Sequence, residues 1–295
     1  MPAQQIPLLK GTSTNQPMST YRAILKVAVL LFCLLVPVMV TGAGNGELTV
    51  HYVNVSHGNA VLIQYNEKNM LIDAGTGEYA ADLVSYLKGH NANTIDMIVS
   101  TSPLPGYIGG MEDVLKACTV RLYIDDGEQP ANKEYKKIRD LVAAKSIPYE
   151  DTYAGDYLDF DKNTYVKVLS PGYGNPDAKP EPVVIQLDYD GIKFLFMSDA
   201  NADTESVLID NYYMKSEVLL AGNHGAPATC SKTFLAEVEP EIAILSVGPD
   251  NVNGYPAEGT CNRLRDAGAE LYRTDMNGTI VITTDGDEYH IVTEK

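Results

Sequence analysis

Thr101-Ser-Pro-Leu-Pro-Gly-Tyr-Ile-Gly-Gly110 follows an apolar run, Ile95-Asp-Met-Ile-Val-Ser100, and leads into Met111–Ala117. The run reads as a buried strand, the quoted stretch as a loop ending in Ile108-Gly-Gly110, and Met111–Ala117 as a helix. Upstream, Leu48–Val55 and Asn59–Tyr65 alternate apolar and polar residues and read as paired strands, with Asn69–Asp73 a third. Tyr79–Lys88 has helical spacing. Downstream, a strand Val120–Ile124 precedes an amphipathic helix, Ala131–Lys145. Strands follow at Tyr157–Phe160, Tyr165–Ser170, Val183–Tyr189 and Ile192–Met197, the last two joined by an Asp190-Gly191 turn. A Pro/Gly-rich loop lies at Pro171–Pro182. The remainder alternates: helix Asp203–Asn211, strand Val218–Ala221, helix Thr233–Glu239, strand Ile242–Val247, helix Glu258–Ala267, then strands to the end. Strands followed by strand–helix alternation, twice over, fit a two-sheet sandwich with helices outside.

Six ordered blocks carry a family resemblance across Leu48–Lys295. They are Val50-His-Tyr-Val-Asn-Val-Ser-His-Gly-Asn-Ala60, Leu71-Ile-Asp-Ala-Gly75, Phe196-Met-Ser-Asp199, Asn223-His-Gly225, Ser246-Val-Gly248 with Asn253-Gly-Tyr-Pro256, and Tyr272-Arg-Thr-Asp275 with Gly278-Thr-Ile280. Together with the quoted loop they resemble the metallo-β-lactamase superfamily, in its ComEC-type competence branch. The resemblance implies an α+β fold: a four-layer αββα sandwich of two mixed sheets flanked by helices.

In that superfamily the loop reads T-H-x-H-x-D-H-x-G-G and supplies most of a two-metal site. Here its ligand positions hold Ser102, Leu104, Gly106 and Tyr107. Asn59 stands where the branch has aspartate, Asn223 and Tyr255 where it has histidine. Asp199 and His224 match retained positions, and Asp73 matches one that supports ligands rather than binding metal. An Asp before Ala-Gly is equally a turn residue, and Asp199 is equally a cap for the helix after it. The losses share a direction. Imidazoles and carboxylates both give way to neutral groups, as suits a site with no dication to offset packed carboxylates. No cofactor is expected; zinc or manganese is the expectation if the site is active.

His51, His57, His90, His224 and His290 are the histidines of the chain. His51 reads as structural, His90 and His290 as surface residues. His57 sits in the loop that should face the cleft, so His57, Asp199 and His224 form the candidate set for one metal or an acid/base group. An ordinary polar cleft is the competing reading. No base is identifiable beside Ser102. The sequons Asn54-Val-Ser56 and Asn277-Gly-Thr279 fall inside motifs near the core.

Residues 1–43 contain Lys10, Arg22 and Lys26 and no acid, so the chain's net charge of −17 becomes −20 for residues 44–295. A surface this acidic opposes nucleic acid, whose affinity comes mainly from Lys and Arg displacing counterions. Val27–Val40 is apolar behind Arg22 and Lys26 and precedes Thr41-Gly-Ala-Gly44. That is the layout of a signal peptide, and extension over residues 23–43 would make it an uncleaved anchor. Met18 would give a more compact start to it. The expectation is therefore an exported domain over residues 44–295, extracellular or in the cell envelope, touching membrane only through its N-terminal segment. Its partner would be a protein or a small molecule. Cys118 reads as core; Cys230 and Cys261 suit either a disulfide or two unpaired core residues. Nineteen tyrosines against five phenylalanines and no tryptophan suit strands with one wet face.

Overall fold

Period-two alternation sorts the strand side chains into layers. Leu48, Val50 and Tyr52 point into one apolar cluster, with Val61, Ile63, Met70 and Ile72 from neighbouring strands. Ile185, Leu187, Phe194, Phe196, Val218 and Ile244 enter the same cluster from the other sheet. The residues between them face outward: Leu62, Leu71 and Ile98 pack beneath one set of helices, and Val184, Leu195, Leu219 and Ala243 beneath another. Three cores separate four layers, which is the αββα sandwich expected. The computed structural model describes residues 46–128, 132–170, 182–249 and 251–295. Residues 1–43, whose sequence carries the expected signal or anchor, and nearly all of the Pro/Gly-rich loop lie outside the described residues.

Among the described residues the first sheet has eight strands, in the order Tyr289–Thr293, Ile280–Thr284, Leu48–Tyr52, Val61–Tyr65, Lys68–Ile72, Met97–Val99, Tyr123–Asp125 and Tyr149–Asp151. Pairing is antiparallel up to Lys68–Ile72 and parallel beyond it. The second sheet has seven, in the order Glu270–Arg273, Ile242–Leu245, Val218–Leu220, Ile192–Phe196, Val184–Tyr189, Tyr165–Ser170 and Tyr157–Leu158. It too passes from hairpins to parallel strands. Asp190 and Gly191, at φ 51° and 106°, make the expected turn, a conformation whose twist matches that of the flanking strands.

Helices α1 (Ala80–Gly89), α2 (Pro105–Ile108), α3 (Met111–Ala117) and α4 (Lys133–Ala144) belong to the first half. Helices α5 (Ala202–Asn211), α6 (Lys232–Val238) and α7 (Glu258–Asp266) belong to the second. Asn132 and Asn201 cap α4 and α5, each side chain accepting two backbone N–H bonds. Asn201, not Asp199, is therefore the cap of α5, which frees the Asp199 carboxylate for the cleft. The strand expected over Val120–Ile124 is split. Thr119–Val120 pairs with Thr94–Ile95 in a separate two-stranded sheet, and Tyr123–Asp125 joins the large one. Arg121 sits at the break, its guanidinium 2.6 Å from Asp96 at the surface.

Cys118, Cys230 and Cys261 are all buried free thiols, so the disulfide alternative for Cys230 and Cys261 is not realised. Both pack in the apolar layer under α6 and α7. His90 is not a free surface residue: it is half-buried and stacks on Tyr86 at 4.0 Å between ring centroids. His51 is buried as expected, with Nδ1 2.8 Å from the Tyr86 hydroxyl. His290 is exposed.

Candidate functional site

The loops at one end of the two sheets meet over a network centred on Asp73. Thr101 donates to its carboxylate twice, from N–H at 2.8 Å and from Oγ1 at 2.6 Å. Thr101 Oγ1 lies 2.5 Å from Ser198 Oγ, which follows a strand of the other sheet. Asp73 thus supports the cleft by tying three strand ends together, and burial raises its carboxyl to about 8 against the two Thr101 bonds. Asp73→Ala is expected to cost about 3 kcal/mol in urea unfolding, because it strands buried donors, and Asp73→Asn about 1 kcal/mol, because an amide oxygen still accepts. Equal losses in the two variants would remove the hydrogen bonds as the cause.

Backbone strain marks the same region. Ser56, Asp73, Ser198, Asn223 and His224 have φ of 58°, 62°, 51°, 45° and 53°. Residues with a Cβ seldom hold such angles unless the surrounding structure imposes them. The loops also lie close on one another: Asn59 N–H donates to Gly106 O at 2.9 Å, and a Cβ on Gly58 would stand 2.5 Å from that oxygen.

His224 donates from Nδ1 to the Ser246 carbonyl at 2.8 Å. In the neutral ring this leaves Nε2 as an acceptor, and it faces the Tyr107 hydroxyl at 3.3 Å. The same hydroxyl lies 3.2 Å from Asp199 Oδ1. A phenol has one proton, so it serves the two acceptors in turn. Burial, reinforced by the charges of Asp199 and Asp73, holds the Tyr107 phenol far above its ordinary range and therefore neutral. Burial lowers His224 to about 4, and the neighbouring His57 pushes the same way. Asp199 is raised by burial, against the bond from Tyr107.

His57 lies beside this pair, its ring centroid 4.6 Å from that of His224 and 6.4 Å from that of Tyr255. Its Nε2 is 3.5 Å from Asn253 Nδ2, and its Nδ1 is buried without a partner among the described residues. Burial lowers its pKa as well. A Cβ on Gly106 would stand 3.9 Å from His224 Nε2, so an aspartate there would enter the same space. Tyr107, Gly106, His57, Asp199, His224 and Tyr255 are therefore brought together. Asn59 is buried beneath them and Asn223 is half-buried at the edge. Ser102 and Leu104 are not part of the cluster. Ser102 Oγ accepts from the Leu104 N–H at 3.4 Å, and the Leu104 side chain is 45% exposed. Sequence reasoning misses the Ser246 carbonyl, which sets the His224 tautomer; its place in the block Ser246-Val-Gly248 is the available signal.

The family model of the metallo-beta-lactamase superfamily matches residues 53–248. The chain belongs to this superfamily. It is 25% identical over 257 residues to ComE operon protein 3 of Bacillus subtilis (strain 168), a match covering 80% of this chain and 33% of that protein. To competence protein ComA of Neisseria gonorrhoeae it is 27% identical over 257 residues, covering 86% and 35%. The chain thus spans about a third of the length of these relatives, which place it in the ComEC-like branch. Among solved structures, the metallo-beta-lactamase fold protein YhfI from Bacillus subtilis aligns with a TM-score of 0.54 at 9% identity, covering 79% of this chain and 98% of that one. At that identity the likeness establishes the fold alone.

The superfamily's two-metal chemistry needs several charged or imidazole donors around each ion and a carboxylate between them. Here Asp199 and one nitrogen of His224 face a neutral phenol. Among the described residues no group of three or more His, Cys, Asp or Glu side chains is arranged to hold a metal ion. His57 adjoins His224 without completing such a group with Asp199. The residues present do not fit the two-metal centre.

Proposed function

We propose that this chain is an exported, non-catalytic member of the superfamily, a binding or structural module whose ancestral metal cleft has become a hydrogen-bonded polar cluster. The Tyr107 hydroxyl carries the reading. It lies 3.2 Å from Asp199 and 3.3 Å from His224, between the two groups that match family ligands. There it offers a neutral O–H where the family places a cation. The neutral character of every substituted ligand position supports the same reading. Export rests on the charge and apolar pattern of residues 1–43, with membrane contact confined to residues 23–43. The partner is a protein or a small molecule.

The second reading, a metal-dependent hydrolase of phosphodiesters or similar esters with a non-standard site, rests on His57, whose unpartnered nitrogen beside His224 would be the additional donor. Elemental analysis of the gently purified full-length chain separates the two. Less than about half an equivalent of zinc or manganese is expected, with zinc affinity no better than about micromolar, far weaker than structural zinc sites. Two firmly held metals per chain would establish the hydrolase reading instead. Nucleic acid is expected not to bind at physiological salt, since residues 44–295 carry −20 and lack a cation cluster. Retardation of single- or double-stranded DNA below about micromolar protein would contradict this.

A further inference from the structure

Among the described residues, α1, α3 and α4 pack on the outer face of the first sheet over Leu62, Leu71 and Ile98, away from its Tyr289–Thr293 edge. There a cavity of about 570 Å³ lies between α1 and the last two strands of the chain, a size that suits a small molecule. Its helical wall is a stripe at helical spacing: Tyr79, just before α1, then Asp82 and Tyr86 on it. Its floor is the cross-strand pair Val281 and Val292, of which Val292 is 57% exposed. Glu294 closes one end, accepting the Thr279 N–H at 2.9 Å with a single oxygen. Among the described residues the lining holds two carboxylates, Asp82 and Glu294, and no Lys, Arg or His. Both carboxylates are exposed, and neither takes part in an ion pair among the described residues. Tyr86 is held in place from behind, by His51 at 2.8 Å and by the stacked ring of His90 at 4.0 Å.

We propose that this cavity binds a small aliphatic organic cation, an amine or guanidine. Two unpaired carboxylates supply the charge complement, two tyrosine rings offer faces that attract ammonium groups, and the valine pair takes the methylenes. A neutral apolar ligand would leave both carboxylates with nothing to gain from it, and an anion would be repelled. The site shares no residue with the Tyr107 cluster, and the proposal does not rest on that cluster's loss of metal.

The test is titration calorimetry on the full-length chain with putrescine and with its neutral isostere butanediol as probes. Putrescine is expected to bind about a hundredfold more tightly than the diol. The Asp82→Asn/Glu294→Gln double variant should weaken putrescine about tenfold or more, with an unchanged melting temperature, since the amide at 294 still accepts from Thr279. A control variant, Asp285→Asn/Asp287→Asn on the exposed turn elsewhere, should leave putrescine binding as it was. Equal binding of amine and diol would overturn the proposal. So would an equal loss in the control, which would mean that cations merely gather around an acidic surface.

Discussion

Replacing His224 with asparagine is expected to make the fold less sensitive to acid, by about 3 kcal/mol between pH 6.5 and pH 4. Burial lowers His224 from its ordinary 6.5 to about 4. Between those values the unfolded chain holds a proton on this ring that the folded chain does not. Stability conferred by the neutral ring is then complete above pH 6.5 and drains away as pH falls toward 4, at about 1.4 kcal/mol for each pH unit crossed. Asparagine is the natural replacement, because it tolerates the φ of 53° and its amide can still donate toward the Ser246 carbonyl. At pH 7 the variant should be weaker than the parent by about 1–2 kcal/mol from lost packing, and the gap should close or reverse near pH 4. His51, buried and lowered to about 3, contributes in the same direction and is untouched by the substitution. Asp73 opposes both. Its carboxyl is raised to about 8, so its contribution is full below its ordinary 3.8 and is lost as pH rises through 8. The comparison is therefore between variant and parent in urea unfolding at several pH values, where the Asp73 and His51 contributions cancel. Parallel pH profiles would show that His224 titrates alike in the folded and unfolded chains, and that its burial carries no penalty for charge.

The sandwich is legible in the sequence because its signal is distributed. Period-two alternation in Leu48–Tyr52 and Val61–Tyr65, short apolar runs such as Met97–Val99, and ordered glycine-bearing blocks all agree, and a slip of one residue would turn every core side chain outward. Local departures arise where a side chain overrides the pattern. Arg121 breaks an apolar run because its guanidinium must reach Asp96 and solvent. Four residues of the loop, Pro105–Ile108, form a helical turn that proline begins readily but that is too short for any periodicity to reveal. Asn201 caps α5 two residues after the Asp that family likeness brings forward. The cleft is legible as a set of positions and not as an arrangement. His57, Asp199 and His224 are expected to converge, and two rings do adjoin. That a residue standing at a lost ligand position would itself contact both retained groups depends on the reach of a phenol across the cleft, which no linear spacing encodes.

That reach sets the second large effect: Tyr107→His is expected to tighten zinc binding about a hundredfold or more over the parent chain. The Tyr107 oxygen already lies 3.2 Å from Asp199 Oδ1 and 3.3 Å from His224 Nε2. An ion near that point would reach ligand bonds of about 2.0–2.2 Å with both if each group approached by about 1 Å. An imidazole is shorter than a phenol by about one such bond, so the new ring would end where a third donor belongs. The introduced imidazole, His224 and Asp199 would then form a mixed nitrogen and oxygen set of the kind that holds a single zinc. The partner variant Tyr107→Phe removes the hydroxyl without adding a donor. It should leave zinc affinity at the parent's level and cost about 1–2 kcal/mol in unfolding, because His224 Nε2 loses its hydrogen bond in a buried position. Calorimetric zinc titration of the three proteins, with unfolding measured in chelator, separates the two consequences of one oxygen. If the parent already binds zinc as tightly as Tyr107→His, the phenol does not occupy the metal's place, and His57 becomes the donor to remove next. If Tyr107→His folds but gains no affinity, the strained backbone at Ser198 and His224 has set the cleft for a hydrogen bond, and it has lost the geometry of a metal site as well as its ligands.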